Sequence, residues 1–138
     1  MPFIETAWSI LESVAWLWGK RKKSALLIID DNDDDGFMLG ALLSRLGYQF
    51  QIETTAEAGL ALLKTGKHKL VFVDIRLPMM SGIALLDKLR LISPKTHVVI
   101  VAGTSGDLEE LKTNHYIGVM VKPVTLEALE DCLSKTVK

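Results

Sequence analysis

Apolar side chains recur along this chain with two different periods. Between residues 3 and 18 they follow a helix. Phe3, Ile4, Ala7, Trp8, Ile10, Leu11, Val14, Ala15, Leu17 and Trp18 share one broad face, and Glu5, Thr6, Ser9, Glu12 and Ser13 share the other, with Trp16 the one apolar intruder. Gly19 is placed to end that helix, and Lys20, Arg21, Lys22 and Lys23 suit its C-terminus. From Ala25 onward, short apolar runs alternate with amphipathic stretches. Ala25 to Ile29 is an unbroken apolar run ending in Asp30, as in a strand covered on both faces. Asp35 to Leu46 reads as a helix closed by Gly47, and Tyr48 to Glu53 alternates as a strand. Thr54 and Glu57 fit a capping box for a helix through Leu63, ended near Gly66. Leu70 to Val73 is the next apolar run and again meets an aspartate, Asp74. A helix from Gly82 to Leu91 follows, with Ser81 as its N-cap. Val98 to Val101 is a fourth strand, Gly103 to Gly106 a flexible loop and Asp107 to Lys112 a short helix. Ile117 to Val121 is a fifth strand, and Thr125 caps a last helix to about Ser134. Strands alternating with helices predict right-handed βαβ units: an α/β, doubly wound, five-stranded parallel sheet with helices on both faces.

Composition agrees with one ordinary domain, expected over residues 24–138 and preceded by an amphipathic helix and basic linker over 1–23. The 138 residues are 49% hydrophobic and 24% charged, which excludes a disordered chain. A net charge of −1 gives no reason to expect nucleic acid as a partner. The single cysteine, Cys132, rules out an internal disulfide framework and a cysteine-built metal site, and is compatible with a reducing cytoplasm. The apolar stretch near the N-terminus follows Glu5 rather than a basic segment, contains Glu12, and falls short of the roughly 20 apolar residues that span a bilayer. Neither a cleaved signal nor a transmembrane helix is expected. The chain stops after the last predicted helix, so no attached output domain is expected either.

The chemistry lies at the strand ends. The first strand delivers Asp30 and Asp31, the third Asp74 and the fifth Lys122, and in a parallel sheet these share one edge. Carboxylates packed together repel unless a cation joins them or a proton is taken up. Hard oxygen ligands of this kind suit magnesium. A carboxylate beside such an ion can attack a phosphoryl group and form an aspartyl phosphate, while metal and lysine neutralise the transferring charge.

The segments Ile28-Ile29-Asp30-Asp31, Val73-Asp74-Ile75-Arg76-Leu77-Pro78-Met79-Met80-Ser81-Gly82 and Val121-Lys122-Pro123 resemble the response-regulator receiver domain of two-component signalling, over roughly residues 24 to 136. The resemblance implies a CheY-like (flavodoxin-like) sheet of strand order 2-1-3-4-5. It implies Asp74 as phospho-acceptor, with Asp31, Asp74 and the backbone carbonyl of Arg76 ligating Mg2+ directly and Asp30 acting through water. Lys122 would meet the phosphoryl group, with a cis peptide to Pro123. A histidine kinase or phosphotransfer protein would be the donor, a downstream effector protein the recipient of the signal, and the cytoplasm the site of action. Two positions depart from the family. Ala102 stands where a threonine or serine binds the phosphoryl oxygen, with Thr104 and Ser105 near but displaced. Val119 stands where an aromatic is usual. These switch positions couple phosphorylation to movement in the family, so the transfer chemistry is better supported than the usual switching.

Other readings compete. Ala102 and Val119 motivate a degenerate receiver that binds partners without phosphorylation. A phosphatase using Asp31-Asn32-Asp33 is opposed by the short chain and the lack of a cap domain. Asp33, Asp34 and Asp35 read as solvated acids at a helix start. The string Asp31 to Gly36 imitates a calcium loop but has Leu42 where glutamate is needed. Gly66-Lys67 lacks the hydroxyl residue of a phosphate loop, and His68, His97 and His115 lack metal-ligand spacing. The N-terminal helix fits packing on its own domain, a homodimer or partner contact, or a membrane-surface contact at the inner face.

Overall fold

The apolar runs pair side by side to satisfy their backbone N–H and C=O groups, and helices cover both faces of the resulting sheet. A computed structural model describes residues 25–77, 80, 82–104 and 118–136. Within them lie β1 (Ala25–Ile29), β2 (Phe50–Glu53), β3 (His68–Asp74), β4 (His97–Ala102) and β5 (Gly118–Val121). The helices are α1 (Asp33–Arg45), α2 (Ala56–Leu63), α3 (Gly82–Ile92) and α4 (Leu126–Thr136). The strands are all parallel, in the order β2-β1-β3-β4-β5. This is the expected α/β doubly wound sheet. The helix expected over residues 3–18, the Ser81 cap and the helix expected from Asp107 to Lys112 lie outside the described residues. No helix among the described residues is long and apolar enough to cross a membrane.

Successive strand residues face opposite sides. β1 sends Leu27 and Ile29 into one layer with Leu63 of α2 and Leu85 and Leu89 of α3. It sends Leu26 and Ile28 into the other, with Leu39 and Leu43 of α1 and Leu129 and Leu133 of α4. β3 and β4 divide the same way, Val71, Val73 and Ile100 to the first layer and Phe72, Val99 and Val101 to the second.

Element ends differ from the periodicity for local reasons. Asn32 accepts a hydrogen bond from the Asp35 N–H at 3.0 Å, so α1 starts at Asp33, ahead of its apolar face. Gly47 takes φ +87°, and the Tyr48 N–H donates to the Leu43 carbonyl at 3.0 Å. Tyr48 therefore closes α1, and β2 begins only at Phe50. Thr55, not Thr54, caps α2, its hydroxyl accepting from the Ala58 N–H at 3.2 Å, so the Thr54–Glu57 box does not form the cap. Thr125 caps α4 as expected, through the Ala128 N–H at 3.1 Å. β3 extends back to His68, which is buried against Gln51 with Nε2 2.6 Å from Oε1. The His68 carbonyl also accepts from the Thr96 hydroxyl at 3.0 Å, which gives this histidine a structural place at the amino edge of the sheet.

Candidate functional site

β1 and β3 are neighbours in register, Ile29 opposite Val73, so the residues that follow, Asp30 and Asp74, emerge side by side at the carboxyl edge. Each turns one oxygen back onto its own chain. Asp30 Oδ1 accepts from the Asn32 N–H and Asp74 Oδ1 from the Arg76 N–H, both at 2.9 Å. These two-residue Asx turns fix the carboxylates. Their other oxygens meet Lys122, whose Nζ lies 3.2 Å from Asp30 Oδ2 and 3.2 Å from Asp74 Oδ2. Lys122 is delivered by β5, where the Val121–Ala102 pairing and the Lys122 N–H donating to the Ala102 carbonyl at 2.7 Å tie the strand end to β4. Its peptide bond to Pro123 is cis. Carboxylate oxygens of Asp30, Asp31 and Asp74 all lie within 4.8 Å of one another.

The electrostatics follow from burial. Asp30 and Asp74 are 5% and 7% exposed. Burial pushes the Asp30 carboxyl up to about 6, with the Asp74 charge adding to the rise and the Asn32 N–H and Lys122 opposing it. Burial alone would lower the Lys122 ammonium. The hydrogen bond to Asp35 and the charges of Asp30 and Asp74 outweigh it and hold Lys122 above its ordinary value. One ammonium thus serves an excess of carboxylates. Asp31 is exposed and makes no hydrogen bond or ion pair among the described residues. Hard oxygen donors, three clustered carboxylates and, among the described residues, one without a partner fit a magnesium-like cation.

Asp30, Asp31, Asp74 and Lys122 therefore meet as expected from their strand ends. The Arg76 backbone lies against Asp74, as its N–H contact shows. Ala102 ends β4 fully buried, and Val119 on β5 is half-buried against the layer shared with α2 and α3. One residue was read differently: Asp35 is not a plain solvated acid, because its Oδ2 lies 2.8 Å from Lys122 Nζ. Asp35 sits three residues after the Asn32 cap, where a helix side chain turns back toward the strand it follows. That spacing was the available signal.

A family model described as the response regulator receiver domain matches residues 26–134. The chain is 29% identical over 92 residues to the autoinducer 1 sensor kinase/phosphatase LuxN of Vibrio campbellii, which is 66% of this chain and 11% of that protein. It is 28% identical over 99 residues to the aerobic respiration control sensor protein ArcB of Escherichia coli, 69% of this chain and 13% of that one. The chain thus spans a small fraction of these curated relatives. A receiver domain structure (CheY-like) from Methylobacillus flagellatus superposes with a TM-score of 0.76 at 28% identity, covering 82% of this chain and 98% of that chain. A family match across most of the chain, the shared sheet order and the Asp–Lys edge lead to one assignment: the chain belongs to the response regulator receiver domains of two-component phosphorelay signalling.

Proposed function

We propose that Asp74 accepts a phosphoryl group from a histidine kinase or a phosphotransfer protein in a magnesium-dependent transfer. The observation that carries this reading is the meeting of the Asp30, Asp31 and Asp74 carboxylates within 4.8 Å, beside the Lys122 ammonium. In this reading Asp30, Asp31, Asp74 and the Arg76 backbone carbonyl would hold Mg2+. The bound ion supplies charge neutralisation for the transferring group. An Asp74 carboxylate oxygen attacks phosphorus. The new O–P bond forms as the bond from phosphorus to the donor imidazole nitrogen breaks, and the nitrogen keeps the electron pair. Lys122, held cationic by its carboxylate partners, neutralises the phosphoryl oxygens. Receiver domains are signalling domains, not metabolic enzymes, and the output of this one would pass through contacts with an effector protein. The assembled Asp–Lys cluster supports an acceptor over a module that only binds. In this reading Ala102 and Val119, at the two switch positions, put the chain's difference from its family in the transmission of the phosphorylated state rather than in the transfer.

The test is the intact mass of the chain after incubation with a small phosphoryl donor and Mg2+. One added phosphoryl group is expected, absent in Asp74→Asn and suppressed by a chelator. Absence of any gain, while a control receiver is labelled, would refute the reading. We assign residues 24–138 to the receiver and residues 1–23 to a contact with a second copy or with the inner membrane face of a cytoplasmic protein. That assignment rests on the sequence alone, since residues 1–24 lie outside the described residues. A chain starting at Ser24 that keeps the oligomeric state and liposome partitioning of the full chain would remove both roles.

A further inference from the structure

We infer that Asp35 is a positioning residue that draws Lys122 away from the phosphoryl group, so that it sets how readily Asp74 is phosphorylated. The inference rests on the reading of Asp74 as acceptor. A lysine ammonium has three N–H donors and no acceptor. Here it faces three carboxylates, and the shortest contact is not to either buried aspartate of the strand edge. Lys122 Nζ lies 2.8 Å from Asp35 Oδ2, against 3.2 Å from Asp30 and 3.2 Å from Asp74. The strand-end aspartates are 6% and 8% exposed at the side chain, while Asp35 is 42% exposed on α1. The ammonium is therefore held between the sheet edge and the first turn of a helix. The Asp35 backbone is fixed there, because its N–H is taken by the Asn32 cap at 3.0 Å.

Transfer changes what the ammonium is needed for. With acetyl phosphate as donor, an Asp74 oxygen forms the new bond to phosphorus, the donor P–O bond breaks, and acetate leaves with the electron pair. The phosphoryl group arrives with about two negative charges. Lys122 must then offer an N–H to a phosphoryl oxygen while Asp35 competes for it. Asp35 also places a further negative charge near the arriving group. Two buried carboxylates, each pinned by a backbone N–H, still orient Lys122 when Asp35 is neutral. Removing the Asp35 charge should therefore release the lysine rather than misplace it.

The test is a time course of phosphoryl incorporation by intact mass, on the full chain with acetyl phosphate and saturating Mg2+. Asp35→Asn should label roughly threefold faster than wild type, the size expected for one half-exposed ion pair. Asp35→Glu keeps the anion and should return toward the wild-type rate. Asp34→Asn removes the same charge from the same turn and should leave the rate unchanged. A second readout needs neither metal nor donor. In a chelator, Lys122 should be acylated faster by an N-hydroxysuccinimide ester in Asp35→Asn than in wild type or Asp34→Asn, located by peptide mass mapping. An Asp35→Asn rate at or below wild type overturns the inference, as does an equal rise in Asp34→Asn. If wild type takes up no phosphoryl group at all, the acceptor reading fails instead, and the acylation pattern alone decides whether Asp35 holds Lys122.

Discussion

Asp30 stands where ionisation works against folding. Its carboxyl is buried beside Asp74, and burial pushes it up to about 6, well above the 3.8 of a solvated aspartate. A group whose value rises on folding favours the fold most below its unfolded value, and that contribution is lost as pH climbs through the folded value. The window here runs from about pH 4 to about pH 6, and the shift corresponds to roughly 2–3 kcal/mol. In a chelator, Asp30→Asn should therefore be more stable than wild type above pH 6 by that order, with the difference closing near pH 4. An asparagine oxygen can still accept from the Asn32 N–H, so the turn survives the change. Urea unfolding of both proteins across this range checks it, because other acid-titrating groups are common to the pair. Equal stability at pH 7 would mean that the cluster carries no such strain. The residue that serves the site costs the metal-free fold.

At the scale of elements, close packing decides more than propensity. A Cβ built on Gly59 of α2 would lie 2.7 Å from Ile29 Cγ1 and nearer still to Cδ1, and Ile29 is fully buried in β1. A Cβ on Gly40 of α1 would lie 2.5 Å from the Phe50 ring, but that ring is only half-buried, at the margin of its core layer, and its far end has more room to give than Ile29. Alanine gains about 1 kcal/mol over glycine inside a helix, while overpacking a core costs about 1–3 kcal/mol. Gly59→Ala should therefore lose about 1–2 kcal/mol in denaturant unfolding, and Gly40→Ala should stay near neutral. Comparable values for the two would remove the distinction drawn from Ile29 and Phe50. The strands of the described sheet were legible because the short apolar runs of β1, β3 and β4 suit burial on both faces. Their ends were not. Thr54 and Thr55 are equivalent by composition, and only the path out of β2 decides whose hydroxyl reaches the Ala58 N–H. Tyr48 alternates correctly for a strand yet is claimed by the end of α1. The cluster of Asp30, Asp31, Asp74 and Lys122 was legible because parallel strand ends share an edge. Asp35 was missed because its spacing from Asn32 allows a turn back toward that edge but does not require it, and the contact depends on how α1 sits over the edge.

Across the whole molecule the charge is nearly balanced, −1 over 138 residues, yet carboxylates from Asp30, Asp31, Asp35 and Asp74 crowd one edge near Lys122. Folding assembles this excess, since β1, β3 and β5 are far apart in sequence and only the sheet brings their carboxyl ends to one edge. A cation that needs the assembled edge binds the folded chain and not the unfolded one, and it stabilises the fold by mass action. Each tenfold rise in free Mg2+ above the dissociation constant then adds about 1.4 kcal/mol, or several degrees in Tm for a domain of this size. Asp31 is the informative residue to remove. It is exposed and makes no hydrogen bond or ion pair among the described residues, so Asp31→Asn should leave the metal-free Tm almost unchanged. The same substitution should abolish most of the rise produced by millimolar Mg2+. Calorimetry on both proteins, in chelator and in a Mg2+ series at fixed ionic strength, separates the two effects. A rise of equal size in wild type and Asp31→Asn would place the ion elsewhere on the surface, and a flat wild-type series would mean that the edge binds none.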